Sequence, residues 1–233
     1  MKTKNFVTKK LFYKKWLYKI VIQCGGISYL HRQGIDYIKE VQPSPSHSSS
    51  WRRSISDKVI TNRANLIRIA GVLELVLKDK EYQVRTESDS CAIFTNNESL
   101  INDIANELTE FIKETHSPLS DVEATYLTSN KNKIICEELP LDGYKFKIYF
   151  KNGSGMTLST KQGFLKWTSR FSDGRIHIPP GVRNILEEAG GNSYFYGQYF
   201  YAKDQKIANM AMMFLSDHLN KTEEFVLKSE VNA

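Results

Sequence analysis

A tandem α+β fold, in which two similar halves each set helices against one face of an antiparallel sheet, is predicted by three features of the 233-residue chain. Strand-like runs alternate with stretches of helical periodicity instead of separating into blocks. The order strand, helix, strand, strand, helix, strand occurs twice. Two segments 106 residues apart, 93–108 and 199–215, also match in pattern: Ile93 falls on Tyr199, Phe94 on Phe200, Ile101 on Ile207, Ala105 on Ala211 and Leu108 on Phe214. Such self-similarity is the signature of duplication, and it places the halves at 1–129 and 130–233.

Residues 16–23 (WLYKIVIQ) are β-branched and aromatic and stop at Gly25-Gly26, as a strand entering a turn does. Residues 29–41 carry an apolar stripe of Leu30, Ile35, Ile38 and Val41, which predicts a helix. Residues 42–54 (QPSPSHSSSWRRS) bury too little apolar surface to order themselves, and predict a mobile loop with Trp51, Arg52 and Arg53 at its exit. Helical spacing returns over 57–80, after a short strand at 58–60. Two strands, EYQVRT and SCAIFT, then flank the turn ESDS. Asn96 or Asn97 caps a helix over 98–115, and strands follow at 123–128, beyond the Pro118 break, and at 133–139.

The second half repeats this order. Residues 143–151 (GYKFKIYFK) echo WLYKIVIQ, and KQGFLKW at 161–167 matches RQGIDYI at 32–38. A short strand, RIHI, precedes the helix PPGVRNILEE, whose prolines stand in the first turn, where no amide donor is needed. Residues 193–204 (SYFYGQYFYAKD) pack six aromatic side chains into eight positions around Gly197 and run into the helical pattern QKIANMAMMFLSDHL. The run EEFVL at 223–227 closes this half as EATYL closes the first.

Composition narrows the class. With 41% hydrophobic residues the chain reads as globular, and no apolar run reaches the roughly 18 residues of a membrane span. The first residues lack the pattern of a secretory signal, so a cytoplasmic location is expected. Cys24, Cys91 and Cys136 are odd in number and widely spaced, which reads as reduced packing residues, neither a disulfide framework nor a zinc site. Abundant Lys, Asn and Ile fit an AT-rich genome and a phage or viral source, the location then being the host cytoplasm. The formal charge is +6, yet residues 1–20 hold seven lysines and no acid. Interleaved with Phe6, Phe12, Tyr13, Trp16 and Tyr18, they suit a polyanion: ammonium groups neutralise phosphates while rings stack on bases.

Read together, each half is a split β-α-β, or ferredoxin-like, plait with extra helices and one open sheet face. On that face the aromatic strand presents either Tyr194, Tyr196, Gln198 and Phe200 or Phe195, Tyr199 and Tyr201, depending on register. An aromatic-rich strand leading into a helix resembles the third strand of an RNA-recognition motif, which implies base stacking. The glycine-framed basic pattern of that family is absent. The counterpart SCAIFTN keeps only Phe94, and packing is expected there.

The leading expectation is a non-enzymatic protein that binds single-stranded RNA or DNA. Lys9, Lys10, Lys14, Lys15, Arg52 and Arg53 would contact phosphates, and Tyr199 and Tyr201 would stack on bases. The alternative is an assembly or regulatory protein that binds another protein or itself through the aromatic and Met-rich (Met210, Met212, Met213) surfaces, with no membrane partner. A third class comes from resemblance. Tandem ferredoxin-like domains of this length resemble the CRISPR RNA-processing endoribonucleases, although their glycine-rich C-terminal loop has no match here. In that class His31, with Tyr29 near it, would serve acid–base cleavage. The five histidines have no metal-ligand spacing, so no catalytic set, cofactor or metal is expected, and Gly153-Ser154-Gly155 reads as a hairpin turn.

Overall fold

The computed structural model describes residues 3–43, 50–171, 173–188 and 193–232. The chain divides into two compact units, Met1–Thr128 and Ser129–Ala233. Each builds its own five-stranded mixed sheet.

Unit 1 runs β1 (Lys4–Val7), β2 (Tyr18–Gln23), α1 (Ile27–Glu40), α2 (Ser50–Thr61), α3 (Arg63–Leu77), β3 (Tyr82–Glu87), β4 (Ser90–Thr95), α4 (Glu98–Glu107), β5 (Ile112–Ser117) and α5 (Asp121–Ser129). Its sheet order is β1-β5-β2-β4-β3. Strands β2 to β5 pair antiparallel, and β1 joins the edge parallel to β5. Alternation along β2 and β4 sends Ile20, Ile22, Cys91 and Ile93 into a core shared with Leu66 and Ile69 of α3 and Leu100 and Ile104 of α4.

Unit 2 runs β6 (Lys133–Cys136), β7 (Phe146–Phe150), β8 (Gly155–Met156), α6 (Leu158–Thr168), β9 (Ile176–His177), α7 (Pro180–Glu187), β10 (Ser193–Tyr194), β11 (Tyr199–Ala202), α8 (Gln205–Phe214), β12 (Leu219–Leu227) and α9 (Lys228–Val231). Its main sheet is ordered β6-β12-β7-β11-β9. Again four strands pair antiparallel and the first, β6, lies parallel to the last long one, β12. A separate two-stranded ladder joins β8 and β10. The core is aromatic: Phe150 stacks on Phe195 at 4.3 Å, and Phe164 stands edge-on to Phe150 and Phe200 at 6.2 and 5.3 Å.

The two units correspond at an offset of 107, not 106. Asn97 and Asp204 cap α4 and α8, accepting the amides of Leu100 and Ile207 at 3.3 and 2.8 Å. The register shifts between β2 and β5 and between β7 and β12 skip Lys113 and Asn220, again 107 apart. Ile93 therefore corresponds to buried Phe200, and Leu108 to buried Leu215. In a strand a one-residue slip exchanges the two faces, which is why the match on Phe94 and Phe200 paired a ring against the sheet's outer side with one in the core.

Several sequence expectations are corrected. The sheets are mixed, not antiparallel, because β1 and β6 add parallel edges. Residues 58–60 are helical within α2, which begins at Ser50, and of the expected mobile loop residues 44–49 lie outside the described part. The helix over 98–115 ends at Glu107, and after one 3-10 turn Ile112 starts β5. Residues 123–128 belong to α5: the Ser120 hydroxyl accepts the Glu123 amide at 3.3 Å and the Glu123 carboxylate accepts the Leu119 amide at 3.2 Å, a reciprocal cap that nucleates the helix. The counterpart of β12 is therefore β5. The Arg-Gln-Gly and Lys-Gln-Gly match is not structural either. Arg32 is exposed and Gly34 (φ 82°) breaks α1, whereas Lys161 is buried and Gly163 sits inside α6.

Candidate functional site

The aromatic stretch 193–204 follows neither of the two alternations. Gly197, at φ 75°, turns the chain between β10 and β11, a backbone region glycine enters without a Cβ penalty. Its amide donates to the Asn152 side chain at 2.8 Å. The turn resets the phase, so Phe195 and Phe200 both enter the core, Tyr194 and Tyr196 are exposed, and Tyr199 and Tyr201 take the open sheet face, half-buried.

Pairing register supplies their neighbours. Tyr199 lies opposite Tyr149, and Tyr201 opposite Lys147 on one side and His177 on the other. Since Phe146, Ile148 and Phe150 of β7 point into the core, Lys147 and Tyr149 must share the outer face with the two tyrosines. Ring centroids step across it at 5.7 Å (Tyr149 to Tyr199), 5.4 Å (Tyr199 to Tyr201) and 6.1 Å (Tyr201 to His177), with Tyr144 and Phe225 at 6.1 and 6.4 Å from Tyr201.

Cations are set among these rings. The Lys147 ammonium lies 3.7 Å from the Tyr199 ring centre and 5.0 Å from that of Tyr149. Lys221 lies 4.4 Å from Tyr149, and Lys203 5.4 Å from Tyr144. Glu223, nearly buried, accepts hydrogen bonds from Tyr149 and Lys221, both at 2.8 Å. Burial, then the Glu223 hydrogen bond, holds the Tyr149 phenol far above the usual tyrosine range. Burial, then neighbouring Tyr199, pushes Tyr201 up to about 12. Rings that stay neutral, beside lysines, form a surface able to stack on planar groups and attract anions.

The corresponding face of unit 1 is different. Lys19 and Phe94 stand where unit 2 has Lys147 and Tyr201, but Val21 and Ala92 replace Tyr149 and Tyr199. Phe94 is buried, contacted by Phe12 and Tyr13 at centroid distances of 5.4 and 5.0 Å. Those rings come from residues 8–17, the supposed lysine arm. Thr8 Oγ1 closes this segment on itself by donating to the Leu17 carbonyl (2.8 Å), and it is fastened to the sheet and its edges by the Thr8 amide donating to the Ser117 carbonyl (2.8 Å), the Leu17 amide to Asn96 Oδ1 (2.9 Å) and Trp16 Nε1 to Gln83 (2.9 Å). Tyr13 and Lys14 take left-handed φ values of 53° and 59° in its turn. The basic segment is thus an ordered strap, not a free arm, because its interleaved aromatics have a sheet to cover.

Of the expected phosphate contacts, Lys9, Lys10, Lys14 and Lys15 are exposed, with Lys15 held by Glu81 at 2.5 Å. Arg52 and Arg53 have helical backbone in α2, and their side chains lie outside the described part. The lysines belong to unit 1 and Tyr199 and Tyr201 to unit 2, and within unit 2 the two tyrosines stand side by side. Lys147, Tyr149, Tyr144, His177 and Lys221 were missed. The alternation in KFKIYFK is a signal for Lys147 and Tyr149 alone, and only strand pairing brings them to Tyr199 and Tyr201.

His31 is exposed, and among the described residues neither it nor Tyr29 makes a side-chain hydrogen bond. Gly153 (φ 71°) turns the chain ahead of β8, and Ser154 Oγ meets His218 Nδ1 at 2.8 Å. Cys24, Cys91 and Cys136 form no disulfide. Among the described residues no three His, Cys, Asp or Glu side chains cluster as metal ligands, and no helix is long and apolar enough to cross a membrane. Comparison with known proteins finds no matching family model, no matching curated protein and no matching solved structure.

Proposed function

We propose that the chain binds single-stranded nucleic acid, with bases stacking on the open sheet face of unit 2. The observation that carries this reading is the pair Tyr199 and Tyr201, side by side and half-exposed, with the Lys147 ammonium 3.7 Å from the Tyr199 ring centre. Neutral rings supply stacking surface and ammonium groups supply phosphate attraction, the two ingredients of a sequence-tolerant platform. Lys203 and Lys221 extend the cationic border, and Lys9, Lys10 and Lys14 add a second basic surface in unit 1. In this reading each unit is a ferredoxin-like plait with an added parallel edge, and the shared strand order, cap and bulge positions support descent by duplication.

Fluorescence anisotropy with labelled oligo(U) and oligo(dT) tests it. Binding should weaken steeply with salt, and Tyr199→Ala with Tyr201→Ala should lose about 1–3 kcal/mol per stacked base, tenfold or more. Lys9, Lys10 and Lys14 changed together to Glu should flatten the salt dependence. Substitution is the right tool there, because residues 8–17 pack on the sheet. Absence of binding to both oligomers, or indifference to the tyrosine pair, overturns the reading.

A second reading, contact with another protein, is favoured by α8, where Met213 is 83% exposed beside exposed Met210 and Phe214. It predicts a complex or homo-oligomer that persists at high salt without nucleic acid, and Met213→Lys should dissociate it.

A further inference from the structure

Unit 1 contains a cavity of about 750 Å³, within the roughly 300–1,000 Å³ of small-molecule sites. Ile27 and Leu30 of α1, Leu73 and Leu77 of α3, and Val84 and Cys91 of the sheet form its walls. The core beside it differs from that of unit 2. The units share one strand order, yet where unit 2 places Phe150 and Phe200 against its helices, unit 1 places Ile22 and Ile93. The buried core around these isoleucines is otherwise aliphatic apart from Cys24 and Cys91, whereas that of unit 2 holds Phe164, Trp167 and Phe195 as well.

The mouth has its own chemistry. Lys78 and Lys80 stand there with Glu74 and Asp79, two ammonium groups against two carboxylates, and Asp79 at φ 58° turns the chain from α3 toward β3. A charged ligand gains no net attraction from such a rim and would have to shed its water against apolar walls. An uncharged one loses little and covers the wall. His31 and Tyr82, also at the rim, offer hydrogen bonds.

We propose that this cavity binds an uncharged, mainly apolar small molecule bearing a hydrogen-bonding group. The proposal is independent of the sheet face of unit 2. It is tested on the full chain by fluorescence titration with N-phenyl-1-naphthylamine and its sulfonated analogue 1-anilinonaphthalene-8-sulfonate, which share an apolar body and differ in charge. The expected result is saturable one-to-one binding of the neutral probe, about tenfold tighter than the sulfonate. Leu73→Trp, which fills the space, should remove it, while Tyr199→Ala leaves it intact. Where Leu73→Trp fails to fold, Ala70→Phe at another wall position is read the same way. No saturable binding of the neutral probe, binding unchanged by the filling variant, or equal affinity for the sulfonate overturns the proposal.

Discussion

The Tyr149 hydroxyl donates a 2.8 Å hydrogen bond to the Glu223 carboxylate, which Lys221 holds from a second side at 2.8 Å. Glu223 is 7% exposed, so this is a nearly buried anion in the middle of an aromatic face. Tyr149→Phe keeps the ring and removes one donor. It should cost about 1–3 kcal/mol in urea unfolding, the range for leaving a buried acceptor short of a partner. A change within the surface-substitution range of about 0.5 kcal/mol would mean the bond contributes nothing to folding.

Tyrosine ionisation reports on the same face. Tyr201 ionises near 12 in the folded chain against 10.0 ordinarily, and Tyr149 is raised further. Between these values the unfolded chain has already released protons that the folded one retains. The stabilising contribution is therefore complete below pH 10 and is lost as pH rises through 12. Absorbance at alkaline pH should show these two phenols ionising late, in step with falling stability. Early ionisation of all twelve tyrosines would place the face in open water.

His116 gives an acid-side prediction. Burial, then the Lys19 charge, pulls its imidazole below the ordinary 6.5, against the opposing pull of Glu114. A depressed folded value means stability that is present above pH 6.5 and lost as pH falls toward that lowered value. His116 stacks on Phe6 at 4.8 Å, joining β5 to the edge strand β1. Imidazole shifts followed by NMR should titrate below pH 6.5, with β1 amides losing protection first. Titration above 6.5 would contradict the burial.

The equivalent caps can be compared directly. Asn97→Ala and Asp204→Ala should each cost about 1 kcal/mol, because each removes a side-chain acceptor from a helix N-terminus. Hydrogen exchange should localise the first loss to α4 and the second to α8. A loss confined to neither helix would remove the correspondence between them.

Periodicity made the element order legible, since apolar alternation and helical stripes are properties of the local chain. Errors fell where local pattern and tertiary pairing compete. Leu108, Phe111 and Ile112 continue the stripe of α4, so only the partner strand β2 reveals that Ile112 belongs to a sheet. The cap Ser120-x-x-Glu123 was legible and outweighs the strand preference of Val122, Thr125 and Tyr126. The first twenty residues look like a solvated arm by their lysines, yet Thr8, Leu11, Trp16 and Leu17 among them are buried. At the candidate site Tyr199 and Tyr201 could be named from alternation alone. Lys147 and Tyr149, about fifty residues upstream, become their neighbours only through antiparallel register.

The contrast between an aliphatic core in one unit and a stacked aromatic core in the other gives the two units separate optical signatures. Coupled rings in fixed asymmetric surroundings, such as Phe150 on Phe195 at 4.3 Å, generate circular dichroism in the near ultraviolet, and eight of the twelve phenylalanines lie in residues 129–233, so the phenylalanine fine structure at the short-wavelength end of that band is weighted toward unit 2. Far-ultraviolet ellipticity sums over both units. A melt recorded at both wavelengths therefore sets the loss of unit 2's stacked phenylalanines against the loss of helix and strand in the whole chain, without a label or a truncation.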